Sequence, residues 1–244
     1  MLIVILVYLL SCIPAVALYL LLKHRLNPGN DHYKKACTEA MKNGLLSVLP
    51  VIGVSMAFNI LFNVLGLRDG SSLLASALHD FIVLAFSEEL CKSLMFAKAL
   101  KKADYSYTWL DMIAFMVITA TGFEILESVI YAIDSNPIQM IVRGITVMHS
   151  GYGFIEGWFY GKAKYTGHKF YAVIGFLIAW LMHGAYNFGL SDDFAALGEY
   201  TAFLSVSLAL IALITFIVMI VFFAKKKKKE QYLVPLGQAE SPEE

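Results

Sequence analysis

The chain has 244 residues, 59% of them hydrophobic and 16% charged, with a mean hydropathy of +0.67. A soluble domain of this length needs a polar skin that this composition does not supply. The formal net charge is zero, which argues against a nucleic-acid partner.

A hydrocarbon core about 30 Å thick needs roughly 20 apolar residues per helix. Apolar runs of that length predict helices over about 2–22, 44–67, 73–98, 109–133, 138–160, 169–190 and 200–224. Backbone polar groups in lipid must be satisfied within each segment, so these runs read as helices. The expected fold is all-α: a polytopic transmembrane bundle of about seven spans, with 1–224 as a single helical domain. The first run lacks a basic n-region and reads as a retained span, not a leader.

The connections alternate in charge. Lys23, Arg25, Lys34, Lys35 and Lys42 follow the first span, but only Arg68 follows the second. Lys98, Lys101 and Lys102 follow the third, and no basic residue lies in 134–137 after the fourth. Lys162, Lys164 and Lys169 follow the fifth, and Asp192, Asp193 and Glu199 follow the sixth. Lys225 to Lys229 close the last. The positive-inside rule then places the N-terminus outside and the C-terminus in the cytoplasm of a multi-pass cell-membrane protein. Residues 225–244 read as a polybasic anchor, attracted to the lipid bilayer, and a disordered cytoplasmic tail. Cys12, Cys37 and Cys91 form an odd set without metal-type spacing, which predicts no disulfide framework and no structural zinc site.

Against this apolar background, Glu88, Glu89, Lys92, Glu124, Glu127 and Arg143 fall inside predicted spans, with His149, Glu156 and His183. Inserting such groups costs on the order of 10 kcal/mol in total, and they normally face a bundle interior and mark a function. Glu88 and Lys92 stand four apart on one helix face and are expected to pair, which turns Glu89 about 100° away. Glu124 and Glu127 are three apart and share a face. His149 lies on a stripe with Gly153, Gly157 and Gly161 that lets another helix approach closely, and Glu156 lies one position off it. His183 and Asn187 are four apart on one face. These residues supply the parts for metal binding by histidine and carboxylate, or for general-base activation of water, with Asn187 as a donor to an oxyanion. The same groups could build the relay of an ion-coupled transporter or the buried contacts of a non-catalytic membrane scaffold.

In order along the chain, Glu88-Glu89-x-x-Lys92, Phe123-x-x-x-Glu127, His149 and His183-x-x-x-Asn187 together resemble the PrsW family of intramembrane proteases, within a wider group that includes the CAAX prenyl proteases and bacteriocin-processing homologues. The resemblance covers 73–190, the protease-like core. CAAX proteases typically carry arginine after the glutamate pair and histidine in the phenylalanine motif. Lys92 and Glu127 stand there instead, which favours the PrsW branch and makes prenylated substrates less expected. The resemblance implies that Glu88, Glu89, Glu127, His149, His183 and Asn187 are catalytic, with Lys92, Glu124 and Arg143 in support. It implies a membrane-protein substrate such as an anti-sigma-factor-like regulator. Zinc held by His149, His183 and Glu127 is one route to hydrolysis, and a metal-free glutamate route is the other. No HExxH motif is present to decide between them.

Overall fold

The computed structural model describes residues 2–102, 108–131 and 147–226. The start of the predicted 138–160 span, Arg143, and the tail beyond 226 lie outside the described residues. All the elements described are helical. α1 (2–26) runs from Leu2–Ser11 through Ile13–Leu21 into a π turn at Leu22–Leu26. α2 is Asp31–Val64. α3 (73–102) joins Leu73–Leu78, a π-helical segment His79–Phe86 and Ser87–Lys102. α4 is Trp109–Tyr131, α5 Met148–Thr166 and α6 Phe170–Gly189. A single turn, α7 (Asp192–Ala195), leads to α8, Glu199–Lys226.

Among the described residues, five helices are long and apolar enough to cross a membrane: Leu6–Leu26, Asp31–Val64, Trp109–Ile130, Phe170–Gly189 and Val206–Lys225. α3 and α5 are the two long helices outside that set. They are also the ones that carry Glu88, Glu89 and Lys92, and His149 and Glu156, so the polar groups themselves lower their hydropathy.

α2 begins at Asp31, well before the expected residue 44. The segment 31–43 is polar but helix-competent. Asn30 accepts a hydrogen bond from the Tyr33 amide at 2.9 Å, an N-cap, and Asp31 stands in the positive first turn. Its inner face buries Tyr33, Ala36, Cys37 and Ala40 against α1 and α4. With 34 residues, α2 is about 51 Å long and extends past a bilayer core at its basic end.

α4 is the central helix. Of its apolar window, 72% is buried, against 12–28% for the other four spanning helices. A reciprocal cap starts it: Asp111 accepts from the Thr108 amide at 2.9 Å, and Thr108 Oγ1 accepts from the Asp111 amide at 3.1 Å. The glycine stripe of α5 packs on this helix. A Cβ at Gly153 would come within 2.7 Å of Ala120 Cβ, and one at Gly157 within 2.8 Å of Ile113 Cα. Without side chains there, the two helices close and His149 reaches across to α4. Gly157→Leu is expected to force them apart, destabilising the protein by about 1–3 kcal/mol. A lowered thermal midpoint in detergent would show it, and an unchanged midpoint would count against this packing.

The π segment of α3 precedes the glutamate pair. Carbonyls freed by its wide turns are met by side chains from other helices. Trp180 Nε1 donates to Phe81 O at 2.5 Å, and Ser55 Oγ donates to Val83 O at 2.9 Å. Such partners are what irregular backbone needs at membrane depth.

Candidate active site

Four helices contribute to one buried polar centre. α3 brings Glu88, Glu89 and Lys92; α4 brings Glu127; α5 brings His149; α6 brings His183. All six side chains are buried, and Lys92 is fully enclosed.

Lys92, not Glu88, determines how the pair is arranged. Its Nζ donates to Glu89 Oε1 at 2.7 Å and to His149 Nδ1 at 2.8 Å. The expected Glu88–Lys92 pair is therefore replaced by an i,i+3 pair, which shares a helix face equally well. An ammonium can only donate. The network thus assigns Nδ1 of His149 as acceptor and puts the ring proton on Nε2, which donates to Glu127 Oε2 at 2.8 Å. The Phe123 ring lies edge-on to His149 at 5.0 Å and 4.7 Å from Lys92 Nζ. The phenylalanine of the Phe123-x-x-x-Glu127 pattern thus holds the lysine and the histidine in place.

Glu89 Oε1 also accepts from His183 Nδ1 at 2.6 Å, so that one oxygen receives two donors. Glu89 Oε2 is buried and has no hydrogen-bond partner among the described residues. With Nδ1 of His183 committed, its Nε2 faces Glu88 Oε2 at 3.7 Å. His149 Nε2 lies 4.0 Å from the same oxygen. Donor atoms of Glu88, His149 and His183 all fall within 4.8 Å of one another.

That trio fits a divalent metal by its chemistry. Two imidazoles and a carboxylate with one position open is a pattern of catalytic zinc. His183 also has the carboxylate on its second nitrogen that ligating histidines usually carry. The grouping differs from His149, His183 and Glu127 in one member. Glu88 points between the histidines, and Glu127 bonds the same His149 Nε2 that faces Glu88, so a metal there would take the place of the Nε2 proton and of its hydrogen bond to Glu127.

The remaining candidates separate from this centre. Glu124 is buried and turned to Ser150, whose Oγ donates to it at 3.5 Å and stands 2.9 Å from Thr121 Oγ1. Asn187 is half-buried, one turn beyond His183, and its side chain makes no hydrogen bond among the described residues. Tyr152 belongs to the centre although sequence reasoning passed over it. Its buried ring stacks on His183 at 5.1 Å, and its hydroxyl has no hydrogen-bond partner among the described residues. Its position three residues after His149, on the same face, was the available signal.

Residues 39–224 match the family described as PrsW family intramembrane metalloprotease, a span that includes every site residue above. The chain is 29% identical over 198 residues to Protease PrsW of Shouchella clausii, covering 78% of this chain and 82% of that one. It is 28% identical over 149 residues to Protease PrsW of Oceanobacillus iheyensis, covering 59% and 65%. For Protease PrsW of Clostridioides difficile the identity is 27% over 125 residues, covering 47% and 52%. No solved structure matches the chain.

Proposed function

We propose, for a chain that belongs to the PrsW family of intramembrane metalloproteases and is thus a multi-pass membrane peptidase, that Glu89 is the general base and that Glu88, His149 and His183 hold a zinc ion. The observation that carries this reading is the asymmetry of the glutamate pair. Glu89 Oε1 is held by Lys92 and His183, which leaves Oε2 as a fixed, open acceptor. Glu88 instead faces both histidines.

A zinc ion at that trio would polarise the scissile carbonyl and ease deprotonation of the attacking water. Glu89 Oε2 takes the water proton as the oxygen attacks the carbonyl carbon, and returns it to the leaving amine nitrogen. The negative charge that develops on the carbonyl oxygen can receive hydrogen bonds from the Tyr152 hydroxyl and the Asn187 amide. Lys92 keeps Glu89 ionised and oriented. Glu127 would receive the Nε2 proton that His149 gives up when it holds the metal, and Glu124 shapes the neighbouring wall.

The substrate is a protein segment within the membrane, of the anti-sigma-factor-like regulator class, and the peptidase crosses the bilayer seven times with its basic helix ends in the cytoplasm. One observation favours a metal-free second reading. Lys92 donates to His149 Nδ1 and His149 Nε2 donates to Glu127, so as arranged this ring keeps no lone pair for a metal, whereas a ligating histidine normally donates from one nitrogen and binds through the other. In that reading Glu89 activates water unaided, and His149 and His183 position it.

The test is purification in detergent, metal analysis, and incubation with a panel of single-span membrane peptides, wild type against the Glu88→Gln/Glu89→Gln double variant. Cleavage by wild type alone with near-stoichiometric zinc supports the first reading. Cleavage without metal transfers the mechanism to the second. Equal cleavage by both proteins rules out this site.

A further inference from the structure

Peptide hydrolysis consumes one water per bond. The carboxylates and imidazoles that would receive it here are closed off from solvent, with Glu89 1% and His183 3% exposed. A hydrolytic centre at this depth needs a polar route for its water.

One buried carboxylate plays no part in the mechanism above. Glu156 on α5 is 5% exposed. Its Oε2 accepts from Ser93 Oγ at 2.9 Å, and its Oε1 has no hydrogen-bond partner among the described residues. Ser93 directly follows Lys92. Glu156 stands seven residues after His149, two helical turns along nearly the same face. Both lie toward the basic ends of their helices, where α3 carries Lys98 and Lys101 and α5 carries Lys162 and Lys164.

Between them is a cavity of about 20 Å³ lined by Ser93, Phe96, Met116, Glu156, Tyr160 and Phe176. A single water needs roughly 10–15 Å³ of such space and two to four polar partners. Ser93, Glu156 and Tyr160 supply that number. Tyr160 continues the polar line outward, with Lys164 Nζ 5.8 Å from its ring. A carboxylate oxygen left dry at this depth loses its hydration with nothing in exchange, so the orphaned Oε1 calls for a ligand of water's size.

We propose that Glu156, Ser93 and Tyr160 form a water-holding station between the basic face of the bundle and the catalytic centre, from which the hydrolytic water is supplied. The station rests on the peptidase reading for its purpose, but not for its occupancy. Glu156 need not change protonation: water leaves the station intact, its hydroxyl joins the acyl carbon, and its proton ends on the amine.

Occupancy can be read without substrate by X-ray hydroxyl-radical footprinting of the full chain in lipid nanodiscs, since radicals form from water beside the side chains they label. Wild type is expected to show labelling at Phe96 and Met116, each 1% exposed, despite their distance from bulk solvent. Glu156→Leu, and independently Ser93→Val/Tyr160→Phe, should reduce that labelling at least fivefold. Both should also lower kcat for peptide cleavage about tenfold at unchanged KM, and Glu156→Gln should restore much of both signals. The second variant keeps the test valid if Glu156→Leu does not fold. Absence of label in wild type, or label unchanged in both apolar variants, overturns the station. Label that behaves as expected in a wild type that cleaves nothing leaves the station standing and counts against the peptidase mechanism instead.

Discussion

Glu89→Gln is expected to lower kcat by about 10²–10⁴-fold, the range that a positioned general base contributes, with zinc still bound. The glutamine carbonyl can take the place of Oε1 and accept from Lys92 and His183, so the helix packing has no reason to change. What is lost is the open oxygen, Oε2, which becomes an amide that cannot accept a proton. Glu88→Gln should give the other pattern, with activity and zinc lost together, because Glu88 Oε2 is the carboxylate donor facing His149 and His183. Metal content and kcat measured side by side on the two single variants separate the roles. Retention of activity in Glu89→Gln with loss in Glu88→Gln would reverse the assignment of base and ligand.

The largest expected loss of stability comes from Lys92→Met. Lys92 is fully buried, and its Nζ lies 2.7 Å from a carboxylate that is itself 1% exposed. Methionine fills a similar volume without a charge, so the change mainly strands Glu89. Breaking one side of a buried ion pair costs about 3–5 kcal/mol. The thermal midpoint in detergent should fall sharply. Adding Glu89→Gln to Lys92→Met should recover most of that loss while activity stays absent, and the non-additivity is the measure of the pair. A Lys92→Met protein as stable as wild type would mean that Glu89 is protonated, and the ionised base would then have to be abandoned. Lys92→Arg is not expected to be neutral, because the larger planar guanidinium must fit a fully enclosed position shaped around a compact ammonium.

Most of the centre could be read from the sequence because burying charge in an apolar chain is expensive. Glu88, Glu89, Lys92, Glu127, His149 and His183 stood out against their surroundings, and the structure brings all six together. The glycine stripe of α5 likewise identified the face that packs on α4. Partner choice was not legible. Lys92 can reach i−4 or i−3, and selection of Glu89 depends on the phase of α3, which the π segment sets and a hydropathy profile does not register. Tyr152 was obscured because an aromatic residue in an apolar helix looks like packing. Glu156 stood out among the buried ionisable residues, but its spacing along α5 gave it no partner. The polar first third of α2 read as a loop because hydropathy measures bilayer residence, and this segment is helical by capping and packing at the bilayer edge.

The π segment His79–Phe86 has a bearing on how this protein can tolerate changes in length. A wide turn holds one residue more than an α-helical turn in the same rise. Deleting a single residue between 79 and 86 would let a wide turn close into a regular α-helical one, and everything beyond it would keep its phase. A deletion after Phe86 has no wide turn to close, so it would rotate everything beyond it by about 100°, carrying Lys92 away from Glu89 and His149. A one-residue deletion in the 65–72 connection, by contrast, changes only a tether. A scan of single deletions across 65–95, scored by cleavage, should therefore show tolerance before residue 73 and again within 79–86, and an abrupt loss from 87 onward. The wide turns hold a residue in reserve, so this helix can absorb a change of length without turning the site.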